Sequence, residues 1–203
     1  IAIEFRSHRE SPAWRATWDW FFFASSLGIT LLLGVALGNV IRGVAVDSSA
    51  EISVDLIDML NPYSVAVGAA AVAMLSLHGG VFLTLKVEGD LLDRVQRLVP
   101  KLMVAFFVAM TALIAWTLLL DTEIADRFAD RPWTAVFPLL ALVAAIVAWR
   151  LILRSSYLSA FLASSAMIAL LLATVAAGLC PVLVPSSIDP SYDLTIHNAA
   201  SAE

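Results

Sequence analysis

Residues 61–89 read N-P-Y-S-V-A-V-G-A-A-A-V-A-M-L-S-L-H-G-G-V-F-L-T-L-K-V-E-G, a long apolar run between a turn and a pair of charges. The Asn-Pro-Tyr turn opens the run, and Lys86 and Glu88 close it. About 20 predominantly apolar residues are enough for a helix to cross a hydrocarbon core about 30 Å thick. The stretch therefore predicts a membrane-spanning helix over residues 61–85.

A polar interruption, His78-Gly79-Gly80, lies well inside this predicted span. Small residues in membrane helices mark faces where the backbone of another helix approaches closely. We therefore expect the two glycines to lie against a neighbouring helix rather than against lipid. A helix of this kind requires neighbours on several sides.

The composition of the whole chain agrees with a membrane protein. Of 203 residues, 61% are hydrophobic and 14% are charged, whereas a soluble domain has about 45–50% apolar and about 25% charged residues. The net charge of −5, with scattered basic residues, gives no support for binding to nucleic acid. A single cysteine, Cys180, excludes an internal disulfide and a multi-cysteine metal site.

Four more apolar stretches are long enough to cross a bilayer. Trp14, Trp18 and Trp20 lie at the start of the first, where aromatic residues form belts at membrane interfaces. The sequence predicts an all-α polytopic membrane helical bundle of about five transmembrane helices, forming one domain over residues 1–203. The predicted spans are residues 19–41, 61–85, 101–120, 134–153 and 157–182.

Local signals refine the first span. Ser11-Pro12 marks the start of a helix. Gly34 and Gly38 have the small-xxx-small spacing that lets two helices approach closely, so we expect both in a helix interface. Asn39, near the outer end of the span, is expected to cap or cross-link helices.

The connecting segments also carry helical patterns. V-D-L-I-D-M-L, residues 54–60, predicts a short amphipathic surface helix in an acidic outer loop. Residues 88–99 predict a separate interfacial helix, in which Asp90–Arg94 and Asp93–Arg97 are spaced as i,i+4 ion pairs. Pro100 suits the first turn of the next span, because that position needs no amide donor.

The basic residues predict the orientation of the bundle. Nine of the 12 Lys and Arg residues fall in segments on the amino-terminal side of the membrane, so the positive-inside rule places the amino terminus inside and the carboxyl terminus outside. The tight turn at residues 154–156 predicts that the last two spans are antiparallel neighbours. The tail over residues 185–203 contains no Lys or Arg and is expected to be irregular and to lie outside.

His78 is a candidate ligand because it is a histidine inside a span. A haem or metal ligand would need a second ligand at similar depth, and His8 and His197 belong to opposite extramembrane segments. Met74 lies four residues earlier, so it shares the face of His78 and cannot reach the other side of one iron. The favoured interpretation is a neutral histidine hydrogen-bonded between helices, and the alternative is a ligand.

Two acidic residues at predicted membrane boundaries are candidates for proton transfer or assembly. Asp19 either joins a proton path or compensates the macrodipole at the start of a helix. Glu88 is expected chiefly in an ion pair at the interface. The sequence contains no nucleophile arrangement, phosphate-binding loop or paired-carboxylate site, so it predicts no autonomous catalytic centre, no bound metal and no cofactor ligands.

Several motifs, in order, resemble subunit II of the cytochrome bd quinol oxidases. The shared motifs are E-F-R-S (4–7), W-R…W-D (14–19), G-V-A-L-G-N-V-I-R-G (34–43), L-N-P-Y (60–63), H-G-G-V-F-L-T-L-K-V-E-G (78–89) and P-V-L-V-P-S-S-I-D-P-S-Y-D-L-T-I-H-N-A-A-S (181–201). Residues 102–165 resemble the family in hydropathy alone. The resemblance implies that this chain is part of a larger subunit and lacks the first helices and the last one of the family.

The resemblance further implies a respiratory complex in the cytoplasmic membrane of a bacterium or archaeon. Such a complex oxidises quinol and reduces dioxygen to water, and haem b and haem d belong to its subunit I. Subunit II would support assembly, oxygen access and proton uptake, with a structural quinone associated with it. Expected partners are subunit I, a small single-helix subunit, membrane lipids and quinol.

For single residues, the resemblance implies little. Asp19 matches the acid of the family's W-D motif, so the resemblance strengthens its candidacy as an assembly or proton-path residue. His78 matches a position that is not a haem ligand. The alternatives are a secondary transporter, which would show inverted repeats and broken helices, and a membrane scaffold without a redox role.

Overall fold

Five long apolar helices form most of the computed structural model, which describes residues 2–47, 54–120, 128 and 130–199. These helices are α2 (Pro12–Arg42), α4 (Pro62–Leu83), α5 (Gly89–Leu119), α6 (Val136–Leu153) and α7 (Tyr157–Leu179). Each is long and apolar enough to cross a membrane. The predicted all-α polytopic bundle is therefore confirmed. The charged segment 121–127, Glu51 and the last four residues lie outside the described ranges.

Two short helices flank the first span. Helix α1 (Ala2–Arg6) precedes α2, and α3 (Leu56–Met59) lies in the predicted surface-helix segment 54–60. Helix α2 begins at Pro12, as the Ser-Pro signal predicted, so it extends seven residues beyond the start of the predicted span. Its first three turns carry the interfacial tryptophans.

Helices α2 and α4 are in backbone contact. A Cβ atom added to Gly34 would lie 2.5 Å from the Cα of Gly68, and one added to Gly38 would lie 2.6 Å from the Cα of Ser64. A Cβ on Gly68 would lie 2.7 Å from the carbonyl oxygen of Leu31. These distances leave no room for any side chain larger than hydrogen. The predicted role of the small-residue motif in helix packing is confirmed.

The other half of the bundle is packed around α5. Gly80 of α4 lies against Val99 and Leu102 of α5, whereas Gly79 has open space around it. The expectation of a helix neighbour is thus confirmed for Gly80 alone. The buried cluster draws on four helices and comprises Leu77, Val81, Val95, Val99, Met103, Phe106, Ala145, Ala148, Ile152, Ala160 and Met167.

Helix α5 is continuous, and the prediction of a separate interfacial helix over residues 88–99 is wrong. Pro100 lies inside α5 rather than in the first turn of a span. Val95, Val99, Met103 and Phe106 are spaced as one helix face and are all buried. This continuous apolar stripe crosses the proline, and its burial offsets the backbone hydrogen bond that the proline cannot donate.

Helices α6 and α7 are antiparallel neighbours joined by the turn at residues 154–156, as predicted. A short 3-10 turn, Pro132–Ala135, leads into α6. Small residues line the contact, since Ala141, Ala145 and Ala148 of α6 and Ala160 of α7 are each at most 3% exposed. Helix α7 ends at Leu179, three residues before the predicted limit, because a residue preceding a proline disfavours helical geometry and Pro181 follows Cys180.

The described part of the tail after α7 is largely irregular, as predicted, but it also forms a short two-stranded sheet that the sequence did not indicate. Strands β1 (Val182–Val184) and β2 (Leu194–Thr195) pair antiparallel. The tail also holds the segment that follows α2: Val44 N–H donates to the Pro185 carbonyl at 2.9 Å, and the Ser186 hydroxyl donates to the Val46 carbonyl at 2.8 Å. Backbone hydrogen bonds between distant segments carry no hydropathy signal, which is why the sequence pattern missed them.

The glycine contact between α2 and α4 leads to a direct test. Gly34→Ala should lower the free energy of unfolding of the detergent-solubilised protein by about 1–3 kcal/mol, because the added methyl group has no space. Gly28→Ala, on the same helix, is the matched control, since nothing lies within 4 Å of its Cβ position. Equal thermal unfolding midpoints for the two variants would contradict close packing at Gly34.

Candidate functional site

Asp19 lies in an ion pair at the amino-terminal end of the bundle. The Arg6 Nε–H of α1 donates to the Asp19 carboxylate of α2, and the two side chains are 48% and 55% exposed. This bond raises the pKa of the Arg6 guanidinium. Asp19 follows the start of α2 by seven residues and is not in its first turn. The expectation that Asp19 compensates the macrodipole at a helix start is therefore wrong.

Aromatic contacts hold α1 against α2 around this ion pair. The Trp14 indole N–H donates to the Phe5 carbonyl at 2.8 Å, and the Phe5 ring stacks on Trp18 with centroids 5.2 Å apart. We call Phe5, Arg6, Trp14, Trp18 and Asp19 the boundary cluster. Its charged pair lies beside aromatic rings suited to a membrane interface.

His78 connects two helices in the middle of the bundle. Its Nδ1 atom is 2.8 Å from the Ser164 hydroxyl oxygen of α7, and that hydroxyl donates to the Phe161 carbonyl. The His78 ring also stacks on Phe161, with centroids 4.7 Å apart. The favoured interpretation, a histidine hydrogen-bonded between helices, is confirmed.

Within the described ranges, no second haem or metal ligand lies beside His78. One ring nitrogen bonds Ser164, one ring face is covered by Phe161, and Met74 is on the same helix. Within the described ranges, no three His, Cys, Asp or Glu residues lie close enough to hold a metal ion. In this part of the chain, His78 is a contact between α4 and α7.

Glu88 lies at the N-cap position of α5 and is exposed. Its side chain makes no capping hydrogen bond, and in the described part of the chain it forms no ion pair, contrary to expectation. The nearest charged neighbour in sequence, Lys86, lies over the Phe82 ring at 5.7 Å instead. The two predicted i,i+4 pairs of α5 are likewise absent from the described residues, because exposed long side chains gain little from pairing.

A second polar junction lies at the opposite end of the bundle. The Asn39 amide donates to the carbonyls of Val35 and Met59 at 2.9 and 2.7 Å, and its oxygen accepts from the Asn61 amide at 2.9 Å. The Asn61 oxygen accepts from Ser64 N–H at 3.0 Å and so caps α4. The predicted cross-linking role of Asn39 is confirmed.

Tyr63 is a structural contact that the sequence analysis missed. Its hydroxyl lies 3.0 Å from the Thr117 hydroxyl of α5, and its ring meets Trp116 edge to face. Only 4% of Tyr63 is exposed. A signal was available, because a tyrosine directly after a capping turn is typical of a membrane boundary.

The polar groups therefore join helices at three levels of the bundle: an ion pair at one end, a histidine–serine bond in the middle and an asparagine pair at the other end. In the histidine–serine bond, the Ser164 hydroxyl donates to the Phe161 carbonyl, so its proton is directed to the backbone and not to His78. The fold and the site define a polytopic α-helical membrane protein in which three polar contacts join helices.

Comparison with known proteins identifies the family. The chain belongs to the cytochrome bd terminal oxidase subunit II family, whose model matches residues 1–203. It is 30% identical to the cytochrome bd ubiquinol oxidase subunit 2 of Bacillus subtilis (strain 168) over 204 residues, which is 100% of this chain and 59% of that protein. The resemblance inferred from the motifs is confirmed.

Two other relatives are also named as subunit 2 of cytochrome oxidases. The probable cytochrome oxidase subunit 2 of Haemophilus influenzae is 26% identical over 100% of this chain and 61% of its own length. The cytochrome bd-I ubiquinol oxidase subunit 2 of Escherichia coli (strain K12) is 30% identical over 95 residues, which is 45% of this chain and 25% of that protein. The chain thus spans about three fifths of the length of the first two relatives.

The asparagine junction yields a second prediction. Asn39→Ala leaves the Met59 carbonyl and one N–H of the Asn61 amide without their partners, so the free energy of unfolding should fall by about 1–3 kcal/mol. Ser25→Ala is the control on the same helix, because its hydroxyl bonds only to Phe22 of α2. In a double-mutant cycle with Asn61→Ala, the two losses should be less than additive. Full additivity would show that the side chains act independently.

Proposed function

We propose that this chain is part of subunit II of a bd-type quinol oxidase. The complex would oxidise quinol and reduce dioxygen to water in aerobic respiration. The observation that carries the proposal is the family match over all 203 residues, on a bundle with five helices long enough to span a membrane. The relatives from Bacillus subtilis and Escherichia coli are named as ubiquinol oxidase subunits, which supports the same activity.

In this proposal the redox centres belong to the partner. Subunit I would carry haem b and haem d, while this chain supports assembly, oxygen access and proton uptake. The engagement of His78 with Ser164 and Phe161 supports that division, since it gives the histidine a packing role. A structural quinone, membrane lipids and a small single-helix subunit are further proposed partners.

The boundary cluster is the proposed contribution of this chain to assembly or to proton entry. The Arg6–Asp19 pair joins α1 to α2 across 13 positions of sequence, and both side chains keep about half of their surface open. An open carboxylate at a membrane boundary can meet a partner subunit or exchange protons with water. Glu88, exposed at the same end of the bundle, is the weaker candidate for the same role.

The proposed orientation places the boundary cluster on the cytoplasmic side. Arg94 and Arg97 in the first turns of α5, and Arg150 and Arg154 at the end of α6, lie at the same end of the alternating helices as Arg6. A concentration of basic residues at one end is typical of the cytoplasmic face. The protein would then be a multi-pass component of the cytoplasmic membrane of a bacterium or archaeon, with the β1–β2 tail outside.

A transporter fits the geometry less well. Transporter substrate sites are typically formed by helices that break near the middle of the membrane. In the described ranges, the five long helices run without interruption, and His78 in the middle of the bundle bonds Ser164 of a neighbouring helix. A membrane scaffold would show the same helix packing. Redox spectroscopy distinguishes this alternative from the oxidase, because a scaffold complex would contain no haem.

The first test of the oxidase proposal is spectroscopic. A tag on the protein that contains this chain should recover, from gently solubilised membranes, a complex whose reduced-minus-oxidised spectrum contains b-type and d-type haem bands. A preparation of another polytopic membrane protein from the same cells is the control. A haem-free complex with intact membrane partners would contradict the oxidase and favour the scaffold.

The second test concerns the ion pair. Asp19→Asn should lower the yield of assembled complex, or its quinol-dependent oxygen consumption, by about two- to fivefold, because an ion pair that is half exposed contributes modestly. Arg6→Gln should have a similar effect, and exchanging the two charges should restore part of the loss. Glu10→Gln is the control in the same exposed segment. Unchanged yield and oxygen consumption in Asp19→Asn would remove Asp19 from the site.

A further inference from the structure

An open cleft of about 240 Å³ lies at the end of the bundle opposite the boundary cluster. It is bordered by the last turn of α2, the residues before α4 and the tail. Asn39 and Asn61 line it together with Arg42, Asp58 and Ser187. None of the roles assigned above to assembly, oxygen access or proton uptake uses this cleft.

The cleft carries two opposite charges that do not neutralise each other. The side chains of Arg42 and Asp58 are both exposed. In the ranges that the structure describes, the guanidinium and the carboxylate take part in no ion pair and no hydrogen bond. The Arg42 guanidinium and the Asp58 carboxylate therefore line one cleft, and each is free to form charge-assisted hydrogen bonds with a ligand.

Other hydrogen-bonding groups that line the cleft already have partners within the protein. Both hydrogens of the Asn39 amide are donated within the protein, and so are those of Asn61. On the tail side, the Val44 carbonyl accepts from the Ser187 N–H at 2.9 Å. Gly43 adopts a φ of +92°, a backbone conformation that glycine tolerates far better than other residues. The asparagine pair and the tail form a preorganised frame, so selectivity for a ligand would come from the two charges.

The position of the cleft indicates which ligand is available. Helix α2 leaves its apolar stretch at Ile41, and α4 enters its own at Pro62, so the cleft lies at the boundary of the bilayer. Phospholipid headgroups fill that region on every side. The amino-terminal end of α4 adds a partial positive charge that favours a phosphate near Arg42.

We propose that this cleft binds the headgroup of a zwitterionic phospholipid with a primary ammonium group, of the phosphatidylethanolamine type. The headgroup phosphate pairs with Arg42, and its ammonium donates hydrogen bonds to Asp58. A purely anionic headgroup, such as that of phosphatidylglycerol, satisfies Arg42 but is repelled by Asp58. A quaternary ammonium has no N–H to donate, so phosphatidylcholine satisfies Asp58 less well.

The test measures lipids retained by the protein in its native complex. The complex is placed in nanodiscs of phosphatidylethanolamine, phosphatidylglycerol and phosphatidylcholine with identical acyl chains, and the lipids that remain bound are counted by native mass spectrometry. The wild-type complex should retain phosphatidylethanolamine preferentially. Arg42→Gln should lower this retention about three- to tenfold, and Arg42→Lys should restore part of it. Asp58→Asn should remove the preference over phosphatidylglycerol.

Arg97→Gln is the matched control, because it removes an exposed arginine at the other end of the bundle and should leave retention unchanged. The proposal is overturned if the wild-type complex retains the three lipids equally, or if Arg97→Gln and Arg42→Gln have the same effect. It is also overturned if soluble glycerophosphoethanolamine displaces the lipid at equal concentration, because the membrane-anchored molecule would then not be the ligand. The readout is lipid retention, so it is independent of oxidase activity.

Discussion

The structure depends on the backbone contact between α2 and α4. Lipid tails are as apolar as leucine side chains, so helices in a bilayer gain most from close packing and hydrogen bonds. Gly34 and Gly68 bring the two backbones together, and Ser64 faces Gly38 at similar range. That approach places Asn39 within reach of Asn61. The asparagine junction, and the cleft above it, exist because these positions carry almost no side chain.

The remaining long helices pack against α4 or against one another. Helix α5 binds α4 through a stripe that includes Val99, and α7 binds α4 through His78 and Ser164. The polar contacts lie at three depths, so each constrains a different level of the bundle. With the helices fixed along their length, the exposed charges are left at the two ends, where a partner, water or lipid headgroups can meet them. The Arg6–Asp19 pair and the asparagine junction thus lie at opposite ends of the bundle, with the histidine–serine bond between them.

The number and type of long helices followed from the sequence, because hydropathy and length alone determine whether a segment can cross a bilayer. Pairwise contacts were predictable where small residues or an amide mark an interface, as at Gly34 and Asn39. The Arg6–Asp19 pair was missed because its members are 13 positions apart and belong to different helices. The continuity of α5 was missed because Pro100 is a strong local signal, whereas burial of its apolar face is a tertiary effect.

The contact between the tail and the end of α2 has a consequence for the order of synthesis. The Ser186 hydroxyl and the Val46 carbonyl are separated by 140 positions of sequence. At a rate of about 5–20 residues per second, a ribosome needs roughly 7–28 s to make that intervening chain. Throughout that interval four more helices enter the membrane while the segment after α2 lacks its partner. The far end of α2 is therefore made early but gains this contact only after the tail has been synthesised.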